Sequence, residues 1–163
     1  MTAEPPPSTP SMLAGSARGG IDLGDRYAAG LTVLICAGVL GVAAWLTPSP
    51  DGLGTHTQLS AIPGMHDCPW LTAFDQPCAT CGMTTAFAHA ASGEYLASFL
   101  TQPFGAGLAV FAATVFWLSL HTAVTGSRAL SLMTRHLGGK MPWVLLALFL
   151  AAWAYKVIVW PGN

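Results

Sequence analysis

Three long stretches of the chain are apolar and almost free of charge. The first contains the twenty apolar residues from Tyr27 to Leu46, the second has its apolar centre at Phe104–Ala123, and the third runs from Met141 to Trp160 with Lys156 as its one charged residue. About twenty apolar residues in a helix cross a ~30 Å hydrocarbon core. The sequence therefore predicts three transmembrane helices, at about 27–47, 103–123 and 141–160.

The segment 48–102 between the first two spans has a different pattern. From Met83 to Ala91 apolar residues recur at helical spacing, Gly93 interrupts them, and Tyr95–Thr101 leads to Gln102 and to Pro103, which is tolerated in the first turn of a helix. Nine residues are too few to cross a bilayer. We expect two short helices in the membrane interface after a cysteine-containing loop, with a re-entrant element over residues 83–100 as the alternative. Gln102 is expected to cap the second span or to bond freed backbone.

Composition agrees with a membrane protein. Hydrophobic residues make up 53% of the chain and charged residues 8%, whereas about 25% charge is usual in soluble domains. Residues 1–25, rich in Pro, Ser, Gly and Ala, are expected to form a disordered tail, and residues 26–163 a single membrane domain. A formal charge of −1 gives no basic footprint for nucleic acid.

The positions of lysine and arginine predict the orientation in the membrane. The segment 48–102 contains neither residue, and five of the six basic residues fall on the opposite side of the predicted spans. The N-terminus is therefore expected in the cytoplasm and the cysteine loop outside it. Lys156 does not fit this distribution, and it is expected to extend to the outer interface.

Cys68, Cys78 and Cys81 lie within fifteen residues of this loop. Outside the cytosol, thiols tend to oxidise, and one interpretation is a structural disulfide that leaves one cysteine over. A second is a metal site, since His66, Cys68, Cys78 and Cys81 have the ligand types and the two-residue gap of zinc sites. A third is redox exchange by the C-x-x-C pair, because a following helix N-terminus stabilises a thiolate. The spacing alone leaves all three open.

These residues resemble a bacterial membrane-protein family known as domain of unknown function 2752. The resemblance covers about residues 66–120 and is carried by Cys68-Pro69, by Cys78-x-x-Cys81-Gly82-x-Thr84, by Gly93-Glu94-Tyr95 and by Gln102-Pro103. It implies the membrane architecture and a bacterial inner membrane, and it implies no activity. The sequence departs from the family pattern where an arginine is replaced by Thr85, and also at Asp75, Ala79 and Gln102.

The chain lacks the common catalytic motifs, and no predicted span contains a carboxylate, so the sequence favours a non-enzymatic protein. The leading hypothesis is a small multi-pass membrane protein whose cysteine cluster braces a loop, or binds a metal such as zinc or a partner membrane protein. The alternative is a membrane thiol–disulfide oxidoreductase using Cys78 and Cys81, with Cys68 as the shuttle thiol.

Overall fold

The structure is a computed structural model that describes residues 22–59, 62, 68–136 and 139–160. Every regular element of this part of the chain is helical, which confirms the all-α prediction. A short 3₁₀ helix, Thr55–Leu59, follows the first long helix. The α-helices are α1 (Leu23–Trp45), α2 (Pro69–Phe74), α3 (Met83–Ala91), α4 (Tyr95–Thr101), α5 (Pro103–Thr125), α6 (Ala129–His136) and α7 (Met141–Val159).

The three long helices α1, α5 and α7 are each long and apolar enough to cross a membrane. The protein is therefore an integral membrane protein, as predicted. The first helix begins at Leu23, four residues before the predicted span, and α5 continues to Thr125. Of the predicted N-terminal tail, residues 1–21 lie outside the described part of the chain.

Helices α1 and α5 run antiparallel and pack through small residues. At one end the Arg26 guanidinium donates to the Ala123 carbonyl at 3.0 and 3.3 Å. Ala29 and Ala43 of α1 are buried, as are Ala109 and Ser119 of α5. Small side chains let helix backbones approach closely, which is how helices associate in lipid.

The short helices α3 and α4 cover the opposite end of this pair. Their bounds equal the two predicted segments, and Gly93 turns the chain between them with a φ of 83°. The Ser98 hydroxyl of α4 donates to the Ala86 carbonyl of α3 at 2.6 Å. The prediction of two short helices is confirmed, and their depth in the membrane stays a prediction.

Helix α7 contacts the same end of the molecule through polar side chains. Trp153 donates from Nε1 to the Pro77 carbonyl at 3.2 Å, and Tyr155 donates to the Leu100 carbonyl at 3.2 Å. Most large side chains of α7 are exposed, as expected for a helix facing lipid. The cysteine loop therefore lies where the end of α1, the start of α5 and the end of α7 meet.

Candidate functional site

Two segments of the loop carry the three cysteines. Cys68 immediately precedes α2, where its carbonyl accepts hydrogen bonds from the backbone N–H and the hydroxyl of Thr72 at 3.1 and 3.0 Å. Cys78 and Cys81 form a tight turn before α3, closed by a hydrogen bond from Cys81 N–H to the Cys78 carbonyl at 3.1 Å. Local backbone bonds thus fix both segments, and the fold brings them together.

The three sulfur atoms all lie within 4.8 Å of one another. The Sγ atoms of Cys78 and Cys81 are 3.1 Å apart, and the Thr80 hydroxyl lies 3.3 Å from Cys78 Sγ. Cys81 is buried, and the other two side chains are half-buried. All four cysteines of the chain are free thiols, and the fourth, Cys36, lies in α1 away from this cluster. We call Cys68, Cys78 and Cys81 the cysteine cluster.

Gly82 is the residue that lets the chain pass from the cluster into α3. Its φ is 83°, in the left-handed region that favours glycine. A Cβ at this position would lie 2.9 Å from the Gly52 carbonyl oxygen, and 3.4 Å from Lys156 Nζ. Gly82 therefore allows both the loop after α1 and the end of α7 to pack directly against the cluster.

Thr85 is fully buried. Its hydroxyl is hydrogen-bonded to the Thr55 hydroxyl at 2.8 Å, and Thr55 in turn accepts from the Ser49 N–H at 2.9 Å. A neutral hydrogen bond at this position fastens the loop after α1 over the cluster. Thr85 therefore has a structural role in this chain.

The environments of Cys78 and Cys81 move their thiol pKa values in opposite directions. Burial alone would raise the pKa of Cys78, but hydrogen bonds from Thr80 and from Cys81 outweigh it and lower that pKa to about 7. Deeper burial raises the pKa of Cys81 well above its usual range, and its hydrogen bonds with Cys78 and Cys68 raise it further. Of these two thiols, Cys78 consequently ionises first.

The predicted site residues are brought together in part. Cys68, Cys78 and Cys81 converge. Among the described residues they form the one group of three or more His, Cys, Asp or Glu side chains that lie close enough together to hold a metal ion. His66 lies outside the described residues. His89 Nδ1 is 2.6 Å from Glu94 Oε2, and His121 Nδ1 is 2.8 Å from Ser127 Oγ, so each of these two histidines has a partner other than the sulfurs.

Lys156 belongs to the site, although the sequence predicts that its side chain extends to the outer membrane interface. Its side chain is 9% exposed, and Nζ donates to the Thr101 carbonyl at 3.1 Å. It lines an open cavity of about 1040 Å³ together with Cys68 and Cys81. Its amino group lies against protein at the end of the spans that holds the cysteine cluster, and its place at the outer interface stays a prediction. The sequence feature that could have indicated this role is the single charge of Lys156 in an otherwise apolar segment.

A second, mostly apolar cavity of about 950 Å³ also borders the cluster. All three cysteines line it, together with residues of the second half of α1 such as Val39, Val42 and Leu46. Cys68 and Cys81 therefore border both cavities, and Cys78 borders the second one.

Fold and site together define a class: a helical, multi-pass membrane protein with a three-thiol cluster at one end of its spans. Residues 68–117 match the model of a family described as "Protein of unknown function (DUF2752)". The match covers α2 to α4 and most of α5, somewhat under a third of the chain, and confirms the resemblance. Comparisons with curated proteins and with solved structures gave no match.

Proposed function

We propose that this protein holds a soft metal ion, zinc in the first instance, on Cys68, Cys78 and Cys81 at the extracytoplasmic face of a bacterial inner membrane. The observation that carries the proposal is the convergence of three sulfurs from two segments within 4.8 Å. A structural disulfide needs two thiols and leaves the third over, and a redox pair would use Cys68 only as a shuttle thiol. A thiolate-bound ion uses all three.

The spacing of the sulfurs fits a metal site after a small adjustment. Zinc–sulfur bonds of about 2.3 Å in tetrahedral geometry separate the sulfurs by about 3.8 Å. The sulfur–sulfur distances in the cluster do not exceed 4.8 Å, which is compatible with this spacing. The Sγ atoms of Cys78 and Cys81, which are 3.1 Å apart, must move apart by about 0.7 Å to reach it. The exposed side of the half-buried Cys68 and Cys78 leaves room for a fourth ligand, for which His66 is the sequence candidate.

The distribution of charge supports the extracytoplasmic position. Arg26 at the start of α1 contacts the end of α5, and Arg128 and Lys140 lie in the connection from α5 to α7. These cations are at the end of the spans opposite the cysteine cluster. Positive residues mark the cytoplasmic side of membrane proteins, so the cluster belongs outside.

Elemental analysis of the full-length protein tests the proposal. Protein purified in lipid nanodiscs without chelator is expected to carry about one zinc per chain, as tetrahedral Cys sites do. Serine substitutions at Cys68, Cys78 or Cys81 should each abolish stoichiometric binding. Cys36→Ser is the matched control, since this thiol lies in α1 outside the cluster, and it should keep the metal.

Wild-type protein that carries no stoichiometric metal, or a Cys36→Ser variant that loses it as fully as the cluster variants, would contradict the metal site. If the purified protein carries stoichiometric copper instead of zinc, the proposed site stands and only the identity of its ion changes.

Thiol–disulfide exchange is the second candidate, favoured by the 3.1 Å sulfur pair and its split pKa values. The Cys78 thiolate would attack a partner disulfide and release one partner thiolate. Cys81, losing its proton, would then displace the second partner thiolate and close the Cys78–Cys81 disulfide. An equilibrium potential in the range of known oxidoreductases, measured on metal-free protein against glutathione buffers, would support this candidate.

A further inference from the structure

Lys156 is the cation that the fold brings to a part of the molecule otherwise without lysine or arginine. Residues 48–102 contain neither type, and among the described residues Arg26, Arg128 and Lys140 lie at the other end of the spans. Lys156 comes from the last turn of α7, 55 residues from its acceptor Thr101. Its burial in an apolar environment is costly unless a negative group offsets the charge.

The surroundings of the amino group are shaped to admit it. Gly52 and Gly82 face it from two loops, and a Cβ on either glycine would lie 3.6 or 3.4 Å from Nζ. Thr101 supplies a carbonyl acceptor but no negative charge. Cys81 interacts with Lys156 electrostatically and lines the same cavity.

A loaded cysteine site would need such a cation. Three thiolates around one divalent ion leave one negative charge in excess, and around one monovalent ion they leave two. In a half-buried site of low dielectric, this excess is stabilised by a neighbouring positive charge much more than it would be in water.

We infer that the Lys156 ammonium is the counter-charge of the metal-loaded cysteine cluster, so that the third span takes part in metal binding without supplying a ligand. This inference rests on the proposed metal site and adds to it a positioning residue outside the matched segment 68–117. It also explains why a lysine is tolerated in an otherwise apolar helix.

Metal affinity of charge variants tests the inference. Lys156→Gln removes the charge and keeps an N–H donor for Thr101, and it should bind zinc at least about tenfold more weakly, in the range seen for outer-sphere partners. Lys156→Arg should retain most of the affinity. Tyr155→Phe removes a neighbouring bond of the same kind, to the Leu100 carbonyl, without a change of charge, and should bind like wild type.

The measurement is chelator competition in nanodiscs, with unfolding midpoints of the metal-free variants as a check on folding. Copper(I) provides a second readout, since the excess charge is then larger and the loss in Lys156→Gln should exceed the loss for zinc. If Lys156 acted only through packing, Lys156→Gln would lose the same affinity for both ions.

The inference is overturned if Lys156→Gln binds zinc as wild type does, if Tyr155→Phe loses as much affinity, or if both ions are weakened equally. These outcomes leave the metal site itself standing. Wild-type protein without metal affinity overturns both.

Discussion

Helices α5 and α7 both approach the cysteine loop, and they contact it in different ways. The start of α5 packs closely: Gly105 and Ala106 are buried, and a Cβ on Gly105 would lie 3.2 Å from Ala86 Cβ and 3.3 Å from Met83 Cα. Helix α7 buries little beyond Ala152 and Lys156 and contacts the loop through side-chain donors. Helices in lipid associate by close packing or by polar bonds. Close packing dominates the contact of α5, and polar bonds dominate that of α7.

The difference shows how the site is held. Gln102 adds to the α5 contact, since its Oε1 accepts from the Gly105 N–H at 2.7 Å and its Nε2 donates to the Ala79 carbonyl at 3.4 Å. Ala79 lies between the two cysteines of the C-x-x-C turn. Close packing and the Gln102 bonds on α5 therefore fix the position of the turn, while α7 contributes directional bonds and a charge.

The largest effect is expected where α5 packs closely against α3. Gly105→Leu would force α3 away from α5 and should lower the free energy of unfolding by about 3 kcal/mol, as overpacking of a tight contact does. Gly107→Leu, two residues further along the same helix and with open space around its position, should change it by no more than about 0.5 kcal/mol. Denaturant unfolding in detergent micelles measures both.

Equal destabilisation by the two leucine variants would show that α5 does not hold α3 by close packing, and the contrast with α7 would fail.

A smaller effect is expected at α7. Trp153→Phe removes the bond from Nε1 to the Pro77 carbonyl, next to Cys78, and should cost about 1 kcal/mol, the usual net value of a hydrogen bond. Trp143→Phe is the control, because this tryptophan is 73% exposed at the other end of the same helix. If both variants unfold at the same denaturant concentration, the polar attachment of α7 contributes no measurable stability.

Much of this arrangement could be predicted from local sequence. The three spans follow from uninterrupted apolar runs, the bounds of α3 and α4 from helical spacing broken at Gly93, and the capping role of Gln102 from its place before Pro103. The proximity of Cys78 and Cys81 follows from their two-residue gap. In each case the residues that determine the feature are neighbours in the chain.

The contacts that complete the site lie beyond such reasoning. Trp153 and its acceptor Pro77 are 76 residues apart, and Thr55 bonds to Thr85 across 30 residues. Apolar periodicity predicts that α7 spans the membrane, but it does not predict which helix face meets the cluster. The location of Lys156 beside Cys81 depends on that face, so a residue expected at the lipid–water interface is buried in the protein.

The smallest expected effect is on the reactivity of one thiol. In metal-free protein, alkylation of Cys78 by iodoacetamide should increase with pH through a midpoint of about 7, because its lowered pKa makes the thiolate available there. Cys81, with its raised pKa, should react only at higher pH than Cys78. Thr80→Val removes the hydroxyl that hydrogen-bonds to the sulfur and should move the Cys78 midpoint upward. Thr72→Val, whose hydroxyl bonds to the Cys68 carbonyl, should leave it unchanged. Peptide mass spectrometry resolves each cysteine, and a Cys78 midpoint at the ordinary thiol value, or one unmoved in Thr80→Val, would show that the turn does not activate this sulfur.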